Sequence, residues 1–201
     1  MRQFRTLARE PDAAGARLLL DGVHLVREAL VAGLPFERVA LSTARLSGEG
    51  AERALANDLD RAGIEILSVT EPVLEAMSPV RTPTGAVAIV QRRSVGAPVV
   101  CRSSDGVLLA AVDVQDPGDL GALVRCGEAV GAGGVLVCGR SASPFSWKAV
   151  RGSMGSILRT AVATTPSVDA AMSCMKDFGY RLVAAVPRGG HDPDAIDWSG
   201  R

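Results

Sequence analysis

The chain has 201 residues, 47% hydrophobic and 22% charged, with equal numbers of acidic and basic side chains and a formal net charge of zero. That composition suits a soluble α/β protein of one or two domains and excludes a chain that is basic as a whole, leaving local basic patches open. Aromatics at 3% argue against a platform that stacks single-stranded bases, and four scattered cysteines with two histidines argue against a zinc site.

The N-terminus, "MRQFRTLARE", is charged and has no apolar core of a secretory signal, so a reduced, cytoplasmic protein is expected. No apolar run reaches the roughly 20 residues of a membrane span. Arg2, Arg5 and Arg9 read first as a solvated, partly disordered terminus, and alternatively as a second basic surface together with Arg27.

"DGVHLVREALVAG" predicts a helix with Asp21 as N-cap, stopped by Gly33 and Pro35. "FERVALS" predicts a strand, "AERALANDLDRAG" a helix, "IEILSVT" a strand, "EPVLEAMS" a helix capped by Thr70, and "TGAVAIVQR" a strand. Residues 1–92 are therefore expected as a small α/β domain. Residues 93–105 read as a linker in which "PVV" is an optional short strand.

From residue 106 the alternation restarts. "GVLLAAVDV" reads as a buried strand, followed by helix "DLGALVRCGEAVG", strand "GVLVCG", helix "SWKAVRGSMGSIL", strand "TAVAT", helix "SVDAAMSCMKDFG" and strand "RLVAAVP". This series predicts a parallel sheet over 106–201.

Two stretches carry candidate chemistry. Asp116-Pro117-Gly118 makes a turn at the carboxyl end of a strand, where open α/β sheets bind ligands and helix N–H groups favour anions. Gly118 and Gly121 would let a ligand approach, and Arg125 falls one turn after Gly121. Pattern alone favours the plainer reading, a well-made turn with a satisfied arginine, because the dinucleotide fingerprint is missing. In "SPFSWKAVRGSMGSILRT", Lys148 and Arg151 form a short basic ridge with Arg159 beyond it, reading equally as a phosphate contact or a solvated helix face. Ser153, Gly155 and Ser156 are small enough to admit another backbone or a ligand. His24 and His191 suggest no general base.

Taken in order, these stretches resemble the SpoU (TrmH-like) family of RNA 2′-O-ribose methyltransferases, within the α/β-knot SPOUT superfamily. "LLLDGVHLVREALVAGLPFERVALS" and "TPTGAVAIV" resemble the opening and closing of its N-terminal substrate-binding domain, similar to kink-turn-binding ribosomal proteins. "VDVQDPGDLGALVRCGEAVGAGGVLV" resembles its first motif, Asn-x-Gly-x-x-x-Arg, with Asp119, Gly121 and Arg125 in the three positions.

The resemblance implies an α/β protein: a substrate-binding domain, then a parallel-sheet methyltransferase domain stopping before the knot. It implies transfer of a methyl group from S-adenosylmethionine to a ribose 2′-hydroxyl of structured RNA, ribosomal RNA ahead of transfer RNA. Arg125 and Asp119 take the catalytic positions, and Lys148, Arg151, Gly121, Ser153 and Arg27 the RNA-contacting ones, without a metal. Asp119 replaces the family's asparagine, and a pair with Arg125 would tie the arginine up. The family's later motifs, which make most of the cofactor pocket and the homodimer interface, are expected beyond Arg201. The alternatives are a non-catalytic RNA-binding remnant and an unrelated nucleotide-binding α/β protein.

Overall fold

The computed structural model describes residues 1–103 and 106–198. Helix α1 (Arg2–Arg9) precedes β1 (Arg17–Asp21), α2 (Val23–Val31), β2 (Phe36–Ser42), the single turn α3 (Thr43–Leu46), α4 (Ala51–Arg61), β3 (Ile66–Val69), α5 (Glu71–Met77) and β4 (Ala86–Gln91). The strands form one mixed sheet in the order β1-β4-β2-β3, with β4 antiparallel to both neighbours and β2 parallel to β3.

The faces of this sheet are set by the period of two along each strand. Leu18 and Leu20 of β1, Val39 and Leu41 of β2 and Ala88 and Val90 of β4 point to α2 and α4, joining Val26, Ala29, Leu55 and Leu59. Leu19, Ala40, Val87 and Ile89 point the other way, to Phe4 and Leu7 of α1 and Leu74 and Met77 of α5. Burial on both faces makes "RLLLD" and "AVAIVQ" almost continuously apolar.

Helix α6 (Ala97–Ser103) connects to a second sheet: β5 (Leu108–Val112), α7 (Pro117–Ala129), β6 (Gly134–Cys138), α8 (Trp147–Gly152), β7 (Val162–Thr164) and α9 (Val168–Asp177). Its strands run parallel in the order β5-β6-β7. Val135, Val137 and Val162 face Leu120 and Val124 of α7 and Val150 of α8. Leu136, Cys138 and Ala163 face Val100 and Cys101 of α6 and Ala171 and Met175 of α9.

The core on the α2 side of the first sheet runs without a break into the α7 side of the second, through Phe145, Val150 and Ile157. Arg92, at the end of β4, is buried at this junction: its Nη2 donates to the carbonyls of Thr160 (3.1 Å) and Val162 (3.4 Å). Its guanidinium lies 5.3 Å from the Phe145 ring centroid, and burial pushes its pKa below the usual arginine value.

Several expectations are corrected. The N-terminus is an ordered helix, because Phe4 and Leu7 at i and i+3 find an apolar face to cover. Asp21 does not cap α2: it ends β1, and Gly22 with φ +104° takes the cap position. "PVV" lies in α6, inside the expected linker. The helix from Trp147 stops at Gly152, because Met154 (φ +51°) and Gly155 (φ +95°) are left-handed, and a 3-10 turn, Ser156–Leu158, follows. Residues 181–187 are not a strand: they pair with no neighbour and most are exposed. No described helix is long and apolar enough to cross a membrane.

Candidate nucleic-acid interface

The start of α7 is fixed by its own sequence. Asp116 is the N-cap, its Oδ1 accepting from the backbone N–H groups of Gly118 (2.6 Å) and Asp119 (3.1 Å), with Pro117 in the first turn. The helix buries Leu120, Gly121, Val124 and Gly127. Arg125 emerges from it into solvent and makes no hydrogen bond or ion pair with any other described residue. Asp119 is exposed and makes no ion pair with Arg125. They stand six positions apart along α7, which sets them roughly a third of a turn apart around the helix.

Gly121 is not a ligand-facing glycine. A Cβ there would stand 2.3 Å from the Ala149 carbonyl oxygen and 2.7 Å from the Ser153 nitrogen, so its place is taken by α8. Gly152 is tight from the other side: a Cβ there would lie 2.8 Å from the Gly118 carbonyl oxygen. Ser153 is fully buried and donates its hydroxyl to the Val150 carbonyl at 2.7 Å. Gly121 and Ser153, expected to touch RNA, instead bring α7 and α8 into backbone contact.

Lys148 and Arg151 are exposed on α8, which Ser146 caps by accepting from the Ala149 N–H. The Lys148 ammonium lies 5.6 Å from the Trp147 ring centroid. The charge of Arg151 acts on Asp21, the 7% exposed carboxylate at the end of β1. Burial pushes the Asp21 pKa up; the Ser78 hydroxyl, donating to it at 2.5 Å, and Arg151 pull it partly back.

Arg27 and Arg159 are engaged. Arg27 lies 3.9 Å from Asp58 on α4. It also sits on the opposite side of the first sheet from α1, so it forms no common surface with Arg2, Arg5 and Arg9. Arg159, expected beyond the Lys148–Arg151 ridge, is held by Glu28 of α2 and Glu128 of α7. Those hydrogen bonds raise its pKa and hold Glu128 below the usual carboxylate range. Nothing local in the sequence marks this triad or Arg92, since each joins residues far apart along the chain.

At the carboxyl edge of the second sheet, the Arg140 N–H donates to Asp113 Oδ1 at 2.6 Å, and the Ser141 hydroxyl donates to the Cys138 carbonyl at 2.7 Å while accepting from the Val114 N–H at 3.0 Å. Among the described residues no cluster of His, Cys, Asp and Glu suits a metal ion.

Comparison with known proteins gives this geometry a lineage. Residues 106–201 match the SpoU rRNA Methylase family, and residues 10–88 match the MRM3-like substrate binding domain. An uncharacterized tRNA/rRNA methyltransferase of Mycobacterium ulcerans is 31% identical over 186 residues, covering 89% of this chain and 59% of the relative. The 23S rRNA (guanosine(2553)-2′-O)-methyltransferase of Bacillus subtilis is 27% identical over 138 residues, covering 69% of this chain and 50% of the relative. The crystal structure of an AdoMet-bound rRNA methyltransferase from Sinorhizobium meliloti superposes with a TM-score of 0.76 at 25% identity, over 98% of this chain and 72% of that one. The chain spans about three-fifths of the first curated relatives it matches, 61% and 59% of their lengths. With both modules matched in order and the fold shared, residues 106–201 are a SpoU rRNA methylase-type domain behind an MRM3-like substrate binding domain.

Proposed function

We propose that this chain works in the transfer of a methyl group from S-adenosylmethionine to a ribose 2′-hydroxyl of structured RNA, ribosomal RNA in preference to transfer RNA. The reading places it in the cytoplasm as a homodimer. The observation that carries the reading is Arg125: an exposed guanidinium, without a partner among the described residues, on a helix in backbone contact with the one that bears Lys148 and Arg151. The Bacillus subtilis relative, named for 2′-O-methylation of 23S rRNA, supports the choice of reaction.

A 2′-hydroxyl is a poor nucleophile that loses its proton as it attacks. A free guanidinium stays protonated, so Arg125 acts by stabilising the developing alkoxide rather than as a base. Asp119 has no contact with Arg125, and its part is to place the ribose by accepting a hydrogen bond. Lys148 and Arg151 hold backbone phosphates, while the N-terminal module selects the RNA by shape.

S-Adenosylmethionine supplies the electrophilic methyl group. At the sheet edge where a cofactor would sit, the Asp113 carboxylate is taken by the Arg140 N–H and the Ser141 hydroxyl by the backbone of Cys138 and Val114, so they do not by themselves make a seat for it. The test is incubation with methyl-labelled S-adenosylmethionine and transcripts of ribosomal and transfer RNA, followed by digestion to nucleosides. Label in a 2′-O-methylnucleoside from ribosomal RNA is expected. Label on a base, or RNA binding without transfer, overturns the reading, the latter in favour of a non-catalytic RNA-binding protein.

A further inference from the structure

The face of the second sheet turned away from α7 carries two thiols that the RNA chemistry does not use. Cys101 of α6 is fully buried, and Cys174 of α9 is half-buried. The Cys174 thiol donates toward Cys101 Sγ, with the two sulfurs 3.6 Å apart. The surroundings hold both helices in place: the Tyr180 hydroxyl donates to the Cys101 carbonyl at 3.2 Å, and the Arg102 guanidinium lies 5.8 Å from the Phe178 ring centroid. The remaining cysteines stand apart from this pair. Cys126 is exposed on α7, and Cys138 is buried with its thiol toward the Ala111 carbonyl.

We propose that Cys101 and Cys174 are a modification site, a dithiol that a hydroperoxide converts to a reversible disulfide joining α6 to α9. Cys174 is the more accessible sulfur and reacts first. Its thiolate attacks the O–O bond, becoming a sulfenic acid as hydroxide departs and is protonated to water. The Cys101 sulfur then attacks Cys174 Sγ; the S–S bond forms, the S–O bond breaks, and the Cys101 proton leaves with the hydroxide as a second water. Two thiols are oxidised and one hydrogen peroxide is reduced to two waters. Burial beside Cys174 pushes the Cys101 thiol up to about 12, in keeping with its place as the second reactant. A 3.6 Å separation needs only side-chain rotation and a small approach of the helices to reach bonding distance.

This site stands independently of the methyl-transfer reading, being on the other face of the sheet from Arg125. The bond closes the long loop that contains β5, α7, β6, α8 and β7, so it constrains the unfolded chain strongly.

The test uses the whole reduced chain, treated with hydrogen peroxide, blocked with N-ethylmaleimide and digested with trypsin. The expected result is peptide 94–102 joined to peptide 160–176, a fall from four free thiols to two, and reversal by dithiothreitol. Melting temperature should rise by about 5 °C on oxidation. Cys126→Ser should leave the cross-link intact and Cys174→Ser abolish it. Recovery of both peptides separately alkylated, or of Cys174 joined to Cys126 or to a second chain, overturns the proposal, and the unsubstituted protein alone suffices to show it.

Discussion

Arg159 and Glu128 form a two-pronged ion pair, Nε to Oε1 at 2.7 Å and Nη2 to Oε2 at 3.2 Å, and the same guanidinium reaches Glu28 on the other module. One side chain from the turn after α8 therefore bridges α2 and α7, with Arg125 one turn before Glu128 on α7. Gly155, whose Cβ position lies 2.9 Å from Glu28 Cγ, and the His24 Nε2 contact with the Met154 carbonyl at 3.2 Å close the joint.

Arg159→Ala should destabilise the fold by about 1 kcal/mol, the group being 37% exposed and partly screened. Because Glu128 is held below its ordinary value of 4.5, its share is complete above that pH and is lost as the pH falls through the lowered value. Urea unfolding at pH 7 and at pH 3 checks this: the gap between the two proteins should narrow at the lower pH.

Gly121→Ala places a methyl group against the backbone of α8, which cannot step aside as a flexible side chain would. A loss of about 2–3 kcal/mol is expected from chemical denaturation. An unchanged midpoint would mean that α7 and α8 are not in backbone contact.

Asp21 behaves in the opposite sense to Glu128. Its pKa is raised from 3.8, so the folded state binds the proton more tightly than the unfolded chain, and stability declines as the pH climbs through the raised value. Asp21→Asn keeps an acceptor for Ser78 and removes the buried charge. The variant should be at least as stable as the parent at pH 7, with the difference shrinking below pH 3.8.

Lys148→Ala and Arg151→Ala test the phosphate contacts. Each should weaken RNA binding at low salt and reduce the slope of log K against log salt by about 1, uniformly across RNA sequences. Arg27→Ala, already paired with Asp58, should change the slope less.

How far the sequence could be read follows from the range of each interaction. The strand β5 and the body of α7 rest on neighbours a few residues away, and they stand where local pattern puts them, although β5 is only partly buried and α7 opens at Pro117, inside the stretch that reads as a turn. The motif positions Asp119, Gly121 and Arg125 were legible too, but not their facing. Whether Gly121 meets a ligand or a helix depends on Ala149, in a different element. Asp21 resembles a cap until Gly22 turns at φ +104° and leaves the carboxylate buried beside Ser78. Residues 181–187 have the apolar composition of a strand, yet a strand exists only through its partner, which composition does not supply.

The most direct measurement compares the parent protein with Arg125→Ala in methyl transfer to ribosomal RNA and in RNA affinity. A fall of about 10²–10³-fold in the transfer rate with affinity nearly unchanged is expected for a lost alkoxide-stabilising cation. Transfer by Arg125→Ala at the parental rate would show that the exposed guanidinium on α7 has no part in the chemistry.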